Sequence, residues 1–371
     1  MGRTSIFSAP VGPAFRCAEA RGRYSAREFP PPLSAKSIMA NTRYDVLGIG
    51  NAIVDVIARA DEAFLLKQKM AKGGMSLIDE PRAQQIYKDM GPGVESSGGS
   101  AANTIVGLAS FGAKVAFVGK VKDDGLGKVF QHDIRAAGVA FETPAAKDGP
   151  STACCYVLVT PDGERTMNTY LGAAQNLHPR DIDSKMIADA AIVYLEGYLW
   201  DPKDAKDAFV AAAKAAHAAG RKVALTLSDA FCVGRYRDEF LGLMRNGTVD
   251  IILANEGELK SLYETEDFDT ALEALRRDVK LAAVTRSEKG CVIIEGTKTT
   301  AVPAASIEKL IDTTGAGDLF AAGFLFGLAR GADHKTCGAL GGLAAAEVIQ
   351  HIGARPEVSL KDLAGQAGLK V

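Results

Sequence analysis

The amino-acid sequence predicts an α/β fold in which helices wrap a parallel β-sheet. Short apolar runs rich in β-branched and aromatic residues alternate with helical patterns from Tyr44 onward. Glycines at positions 112, 138 and 220 follow helical patterns where helices commonly end. No internal repeat interrupts this alternation. Alternating strands and helices are typical of a parallel sheet covered on its faces.

The elements follow in order along the chain. In the first half, the predicted strands are YDVLGIGN and KVAFVGKV, and the predicted helices are AANTIVGLASFG and LGKVFQHDIRAAG. In the second half, the predicted strands are AAIVYLEGYL, KVALTLSD, VDIILANE and LAAVTRSEKGCVII, and the predicted helices are DAFVAAAKAAHAAG and DTALEALRRDVK.

Two stretches break the alternation. Residues 153–171 predict a β-hairpin that turns at Pro161-Asp162-Gly163, and residues 56–79 lie between the first strand and the next helix. Both stretches could form a small sheet that closes as a lid over a cleft and excludes water from a reaction. The alternative is an ordinary surface hairpin.

The composition favours a small-molecule partner. The chain has 371 residues, 47% of them hydrophobic, and a formal net charge of -2. Because no basic run is present, we expect no nucleic-acid partner. No apolar run reaches the roughly 20 residues of a membrane helix, so we expect a soluble, cytoplasmic protein without a membrane partner. The six cysteines lack metal-binding spacing and are expected to be reduced and buried. A monomer or homodimer is expected.

The first 38 residues differ from the rest of the chain. They contain Pro30-Pro31-Pro32 and several Arg and Ser residues but few acids, without regular periodicity. They resemble an organelle transit peptide, whereas MANTRYDVLGIG from Met39 also resembles a natural protein start. We expect residues 1–38 to be a disordered leader or an over-long start, and residues 39–371 to form one domain.

The stretch DTTGAGDLFAAGFLFG, from Asp312 to Gly327, combines an anion-binding loop with an acid. Gly315, Ala316 and Gly317 precede a helix, whose N-terminal N–H groups attract anions. Asp318 would repel an anion unless it is a reactant that takes a proton from a hydroxyl during phosphoryl transfer. The alternative is a first-turn acid stabilised by the helix dipole.

A second glycine motif is SSGGSAANT, residues 96–104. Gly98 and Gly99 would let a ligand approach the backbone, and Ser100 and Asn103 offer hydrogen bonds to hydroxyl groups. The alternative is that Ser100 is a helix N-cap.

GIGNAIVD, residues 48–55, ends the first strand. Ile53 replaces the third glycine of a dinucleotide fingerprint, which argues against a nicotinamide or flavin site. Asn51 and Asp55 are expected at the carboxyl end of the strand, where the carboxylate could bind a vicinal diol. Turn-forming roles are the alternative.

Two further strand ends carry candidate residues. Asn255 and Glu258 in NEGE could hold Mg²⁺ through water, or they could form a capping arrangement. Thr285 and Gly290 in VTRSEKG could border a nucleotide.

These patterns, in this order, resemble the ribokinase-like (PfkB) family of ATP-dependent small-molecule kinases. DTTGAGD is similar to the D-T-x-G-A-G-D signature of the family, and SGGSAAN is similar to its N-terminal Gly-Gly motif. The resemblance spans Tyr44 to about Pro356. It implies a doubly wound, mostly parallel sheet with a small β-sheet lid, and it implies ATP and Mg²⁺ as cofactors.

The resemblance also implies roles for individual residues. Asp318 matches the catalytic base, and Gly315, Ala316 and Gly317 match the anion hole. Asp312 and Thr314 match a region that holds a monovalent cation, usually K⁺, in many members. Glu258, with Asn255, matches a motif that affects Mg²⁺ and phosphate.

Within the family, GNAIVD and GGSAAN are most similar to the segments of adenosine kinases and their bacterial relatives. The likeness implies that Asn51, Asp55, Ser100 and Asn103 hold a ribose. It also suggests that Tyr198, in EGYLW, stacks on a purine. Arg165 is expected to reach the phosphates. Arg286 and Ser287 depart from the pattern of many sugar kinases, which leaves the ATP contacts open.

The expected function is therefore phosphorylation of the 5′-hydroxyl of a nucleoside, with adenosine as the favoured candidate. The alternative is a sugar kinase acting on ribose, fructose or a related sugar, which would lack an apolar purine slot around Tyr198 and Met75. A third hypothesis is a binding protein that kept the fold and lost catalysis. The intact Asp318 and glycine loop argue against that hypothesis.

Overall fold

The computed structural model describes residues 42–369 of the chain. The expectations for residues 1–38 lie outside this range. Two β-sheets and the helices packed on them form the fold, and the expected mixed α/β architecture is confirmed. No helix among the described residues is long and apolar enough to cross a membrane.

The large sheet has nine strands. They are β1 Tyr44–Ile49, β5 Val115–Val118, β6 Ala140–Phe141, β9 Ala190–Glu196, β10 Lys222–Thr226, β11 Ile251–Asn255, β12 Leu281–Thr285, β13 Cys291–Glu295 and β14 Lys298–Val302. Their order across the sheet is β14-β13-β12-β11-β10-β9-β1-β5-β6. Neighbouring strands run parallel except where β13 pairs with β12 and β14.

The small sheet has five strands. They are β2 Ile53–Arg59, β3 Met75–Leu77, β4 Gly93–Gly98, β7 Ala153–Val159 and β8 Arg165–Tyr170. Their order across the sheet is β3-β8-β7-β2-β4. Strands β7 and β8 pair antiparallel across the turn at residues 160–164. Strand β4, which pairs with β2, was not expected from the sequence.

Helices cover both faces of the large sheet. In chain order they are α1 Glu62–Lys67, α2 Glu80–Asp89, α3 Ser100–Ser110, α4 Gly125–Ala136, α5 Ser184–Ala188, α6 Lys203–Ala218, α7 Ala230–Arg245, α8 Glu256–Tyr263, α9 Phe268–Asp278, α10 Ala316–Ala329, α11 His334–Val348 and α12 Leu360–Gln366. Short 3₁₀ helices occur at Gly172–Asn176, Pro179–Asp181, Gly197–Trp200 and Ser287–Lys289.

Strand β1 shows why two core layers form. All six of its residues are buried, as expected for a central parallel strand. Successive side chains point to opposite faces, so Val46 belongs to the core layer that includes α3, α10 and α11, whereas Leu47 and Ile49 belong to the layer that includes α6 to α9. The strand is thus covered on both sides, and its carboxyl end is left to meet a ligand.

Helix α10 resolves why the sequence after Asp318 is so apolar. Its side chains are buried from Leu319 to Gly327, and it packs between α3 and α11. A helix that is apolar on every side is stable only inside a core. Burial of α10 therefore fixes the position of its N-terminus and of Asp318 in the first turn.

Candidate active site

One cavity of about 1090 Å³ lies between the carboxyl ends of the large-sheet strands and the inner face of the small sheet. Strand ends next to a reversal of strand order are where open α/β sheets bind ligands. Most of the residues proposed from the sequence line this cavity: Asn51, Asp55, Gly99, Ser100, Asn103, Arg165, Tyr198, Asn255, Glu258, Thr285, Thr314, Gly315, Gly317 and Asp318.

Four proposed residues do not line the cavity: Gly98, Gly290, Asp312 and Ala316. Gly98 lies directly behind the Asp55 carboxylate, where a side chain would clash. Gly290 has a positive φ of 82° and packs against the backbone of Val302, so its glycine has a structural cause.

Asp318 lies in the first turn of α10 and is held by two donors from α3. The Ser100 hydroxyl donates to Oδ1 at 2.6 Å, and the Asn103 amide donates to Oδ2 at 3.2 Å. The N-cap of α3 is Gly99, so the alternative that Ser100 caps the helix is wrong. The two glycine motifs of the sequence therefore meet at one carboxylate.

Burial raises the pKa of Asp318 to about 6, although the hydrogen bonds from Ser100 and Asn103 oppose this rise. The negative charge of Asp55 adds to the rise. A carboxyl group with a pKa near 6 is ionised at neutral pH and is a stronger base than an exposed aspartate. The site can therefore supply a general base.

The loop before α10 has the backbone needed to approach a ligand. Gly315 has a positive φ of 79°, and a Cβ there would lie 2.7 Å from the Cα of Ala354. Ala316 donates its N–H to the Thr313 carbonyl at 3.2 Å. The next N–H groups, of Gly317 and Asp318, have no acceptor within a helix that begins at Ala316, as at any helix start.

Asn51 follows β1 and is held by a buried carboxylate. Glu196, at the end of β9, accepts from the Asn51 side-chain amide at 2.6 Å and from the backbone N–H of Ala101 at 2.8 Å. Burial raises the pKa of Glu196 to about 7. Because the Asn51 NH₂ group faces Glu196, its Oδ1 is left buried without a hydrogen-bond partner among the described residues. This oxygen can accept a ligand hydroxyl.

Asp55 is not at the carboxyl end of the first strand, which corrects the expectation. The chain turns after Ile49, and Asp55 lies inside β2 of the small sheet, opposite Ser96 of β4. A turn-forming role is therefore wrong. Burial raises the pKa of Asp55 to about 6, and the positive charges of Arg355 and Arg165 oppose the rise.

Arg165 on β8 forms an ion pair with Asp312. The Asp312 carboxylate also accepts from Thr314 N at 3.0 Å, Thr314 Oγ1 at 2.7 Å and Gly353 N at 3.2 Å. Each carboxylate oxygen thus has two protein donors: Oδ1 accepts from the N–H and hydroxyl of Thr314, and Oδ2 accepts from the N–H of Gly353 and the cationic guanidinium of Arg165. This donor set does not fit the Asp312 side chain as a K⁺ ligand.

Arg165 keeps a second donor unused. Its Nε is buried without a partner among the described residues, and the side chain lines the cavity. Contact between Arg165 and a phosphate stays a prediction.

Asn255 and Glu258 form the capping arrangement that the sequence left open. Asn255 Oδ1 accepts from Glu258 N at 2.8 Å, and Glu258 Oε2 accepts from Asn255 N at 3.0 Å. Burial raises the pKa of Glu258 to about 7. Both residues still line the cavity. A water-mediated Mg²⁺ contact at Glu258 stays a prediction.

Tyr198 lies after β9 and is held in place by the next strand end. Its backbone N–H donates to Ser228 Oγ at 3.1 Å, and its phenol donates to the Ser228 carbonyl at 3.2 Å. Ser228 has a positive φ of 72°, a strained conformation for a residue with a Cβ. Tyr198 therefore presents a fixed ring to the cavity.

The small sheet turns a mostly apolar face to the cavity. Alternate residues of each strand face inward, because side chains alternate along a strand. They include Ile57, Val157, Met167, Met75 and Leu77, which all line the cavity. The polar side chains of the small sheet that line the cavity are Asp55, Ser96, Ser97, Arg165 and Thr169.

Glu196 and Arg355 are among the cavity residues that the sequence did not predict. The sequence did carry a signal for Glu196, because this charged residue directly follows six apolar residues of β9 and so stands at a strand end. For Arg355, in the irregular segment after α11, the sequence offered none.

The comparisons with known proteins agree with this geometry. Residues 83–360 match the pfkB family carbohydrate kinase. The chain is 57% identical to the adenosine kinase from Sinorhizobium meliloti, with a TM-score of 0.81 over 88% of this chain and 99% of that one. It is 52% identical to a probable sugar kinase from Rhizobium etli CFN 42, with a TM-score of 0.83 over 89% and 100% of the two chains.

Among curated relatives, the adenosine kinase of Saccharomyces cerevisiae is 28% identical over 82% of this chain and 94% of its own length. The relatives thus include adenosine kinases and a probable sugar kinase. The chain belongs to the pfkB family of carbohydrate kinases and is an ATP-dependent kinase with a hydroxyl group as acceptor.

Proposed function

We propose that this kinase transfers the γ-phosphoryl group of ATP to the 5′-hydroxyl of a nucleoside, with adenosine as the preferred acceptor and AMP as its product. The observation that carries the choice is the apolar wall of the small sheet. Ile57, Val157 and Met167 face the cavity beside Met75 and Leu77. A flat base gains by leaving water for such a wall, whereas a free sugar would leave its hydroxyl groups unpaired there.

The polar groups lie on the other side of the cavity. Asp55 and Asn51 Oδ1 accept hydrogen bonds from the vicinal diol, so the ribose is held at its two secondary hydroxyl groups. Ser100 and Asn103 fix the carboxylate that faces the remaining hydroxyl. This division between an apolar and a polar wall suits a nucleoside.

Asp318 then takes the proton of the acceptor hydroxyl as the oxygen attacks the γ-phosphorus. The N–H groups at the start of α10 stabilise the negative charge on the transferred phosphoryl group. Mg²⁺, which kinases of this family typically use, neutralises phosphate charge when bound, and Glu258 would contact it through water. Closure of the apolar wall over the bound substrates would exclude water, which would otherwise compete as acceptor.

The experiment measures ADP production with Mg-ATP and adenosine, guanosine, ribose or fructose in parallel, at equal concentrations. We expect kcat/KM for adenosine to exceed that for either sugar by at least about 100-fold, because a buried base adds several kcal/mol of binding. 5′-Deoxyadenosine is the matched control, since it fills the same site without the acceptor hydroxyl. Preference for a sugar would overturn the nucleoside assignment and leave the kinase assignment intact.

A further inference from the structure

Arg355 connects three elements around the site and has no role in the mechanism so far. It lies in the segment between α11 and α12, and its guanidinium reaches β4, α4 and α3. Its Nη2 donates to Ser97 Oγ at 2.8 Å, its Nη1 to Asp133 Oδ2 at 3.1 Å and its Nε to Asn103 Oδ1 at 3.4 Å. The Arg355 side chain lines the cavity and is 21% exposed.

Asp133 anchors this guanidinium. Its Oδ2 also accepts from the backbone N–H of Ser97 at 2.8 Å and from the Ser97 hydroxyl at 2.5 Å. Partial burial opposes ionisation of Asp133, but the Ser97 and Arg355 contacts lower its pKa overall. A planar guanidinium with several fixed donors can hold such an array, whereas an ammonium group offers a point charge.

The contact with Asn103 determines which way its amide points. Because Arg355 Nε meets the amide oxygen, the NH₂ group must face Asp318 Oδ2, to which it donates at 3.2 Å. The opposite orientation would place the NH₂ group against a guanidinium and the oxygen against a carboxylate. Arg355 therefore selects the orientation in which Asn103 holds the proposed base.

Arg355 also supplies positive charge near Asp55. The charged or titratable groups that act on Asp55 or are acted on by it are Arg355, Arg165, Asp318 and the buried thiols of Cys154 and Cys155. Arg165 is already paired with Asp312. Arg355 is thus the larger of the two positive influences on this carboxyl group.

We propose that Arg355 is a positioning residue with two separable effects: it orients the Asn103 amide toward Asp318, and it places positive charge near Asp55, which binds the diol of the nucleoside. The proposal rests on the proposed function of Asp318 and Asp55. The first effect requires the several fixed N–H donors of a planar guanidinium, and the second requires only the positive charge. A substitution that keeps the charge but removes the planar array of donors can therefore separate the two effects.

The test compares wild type with R355Q and R355K between pH 5 and 8, with adenosine affinity measured by calorimetry and kcat measured by ADP release. R355Q is expected to lower kcat about tenfold or more, since a small misplacement of a catalytic group is costly. It is also expected to move the pH at which adenosine binding weakens upward by about one unit. R355K is expected to restore the pH profile of binding but not kcat.

R330Q is the matched control. Arg330 forms an ion pair with Asp45 at 3.0 Å and does not line the cavity. Removal of this pair tests for a general effect of losing an Arg–Asp contact, and neither kcat nor the pH profile of binding should change.

Unchanged kcat and an unchanged pH profile in R355Q would overturn the proposal. Equal changes in R355Q and R330Q would overturn it too, because the effect would then be structural. Calorimetry needs no turnover, so failure of the Arg355 role is separable from failure of the proposed function. If wild type turns over a different acceptor, only the nucleoside assignment falls, and the same pH series with that acceptor decides the role of Arg355.

Discussion

Replacing Asp318 with asparagine should stabilise the folded protein above pH 6, although it removes the proposed base. Burial raises the pKa of Asp318 from 3.8 to about 6. A raised acid pKa means that the wild type has its full stability below pH 4 and loses stability as the pH rises to about 6. The asparagine side chain does not titrate in this range, so the free energy of unfolding of D318N does not show this decrease.

The shift sets the size of the effect. About two pKa units correspond to about 3 kcal/mol of differential stability between the two protonation states. The asparagine side chain of D318N would keep an acceptor for Ser100 but would place its NH₂ group against that of Asn103, which costs about 1 kcal/mol. At pH 8, D318N should therefore be more stable than wild type by about 1–2 kcal/mol, and at pH 4 it should be slightly less stable.

Urea unfolding at a series of pH values from 4 to 8 measures this difference for both proteins. D250N is a useful control of opposite sign. Asp250 is buried but accepts hydrogen bonds from His217 and Val223, and its pKa is lowered. D250N should therefore be less stable than wild type at neutral pH, and this difference should shrink as the pH falls below 4. A D318N advantage that is the same at pH 4 and pH 8 would refute the reasoning.

Three other outcomes follow from the site. The value of kcat should fall below a pH of about 6, because Asp318 must be ionised to accept a proton; a flat profile between pH 5 and 8 would count against it. G315A should lower kcat at least about 100-fold, because residue 315 has a positive φ and its Cβ would clash with Ala354. The control variant G234A, on α7 with open space around it, should have near wild-type kcat. Replacing K⁺ by tetramethylammonium at constant ionic strength should change kcat less than about twofold and leave the melting temperature unchanged, because Arg165 is already paired with the Asp312 carboxylate. A rise in kcat or in the melting temperature with K⁺ would contradict this.

Contiguous motifs could be interpreted from the sequence. Asp318 stands in one unbroken stretch with its glycine loop, so local chemistry and the helix start predict where its carboxylate lies. The alternation of strands and helices predicts that the ends of β1, β10, β11 and β12 meet at one edge of a sheet. The fold class and the kinase activity both follow from such local signals.

Contacts across the chain could not be predicted in the same way. Asp55 was expected at the end of β1, but its place in β2 depends on pairing with β4, and a short strand with few apolar residues gives little periodicity. Arg165 lies on β8 of the small sheet, and Asp312 lies in the loop before α10. Their pairing therefore depends on how the small sheet packs over that loop. Arg355 is brought to Asn103 only by tertiary packing.

The most direct test of the central claim is to measure kcat and adenosine affinity for D318N beside wild type, with ADP release and calorimetry. If Asp318 is the general base for phosphoryl transfer to a nucleoside, kcat should fall by at least about 10³-fold while the adenosine Kd stays within about fivefold. A D318N protein with kcat within tenfold of wild type would contradict the account.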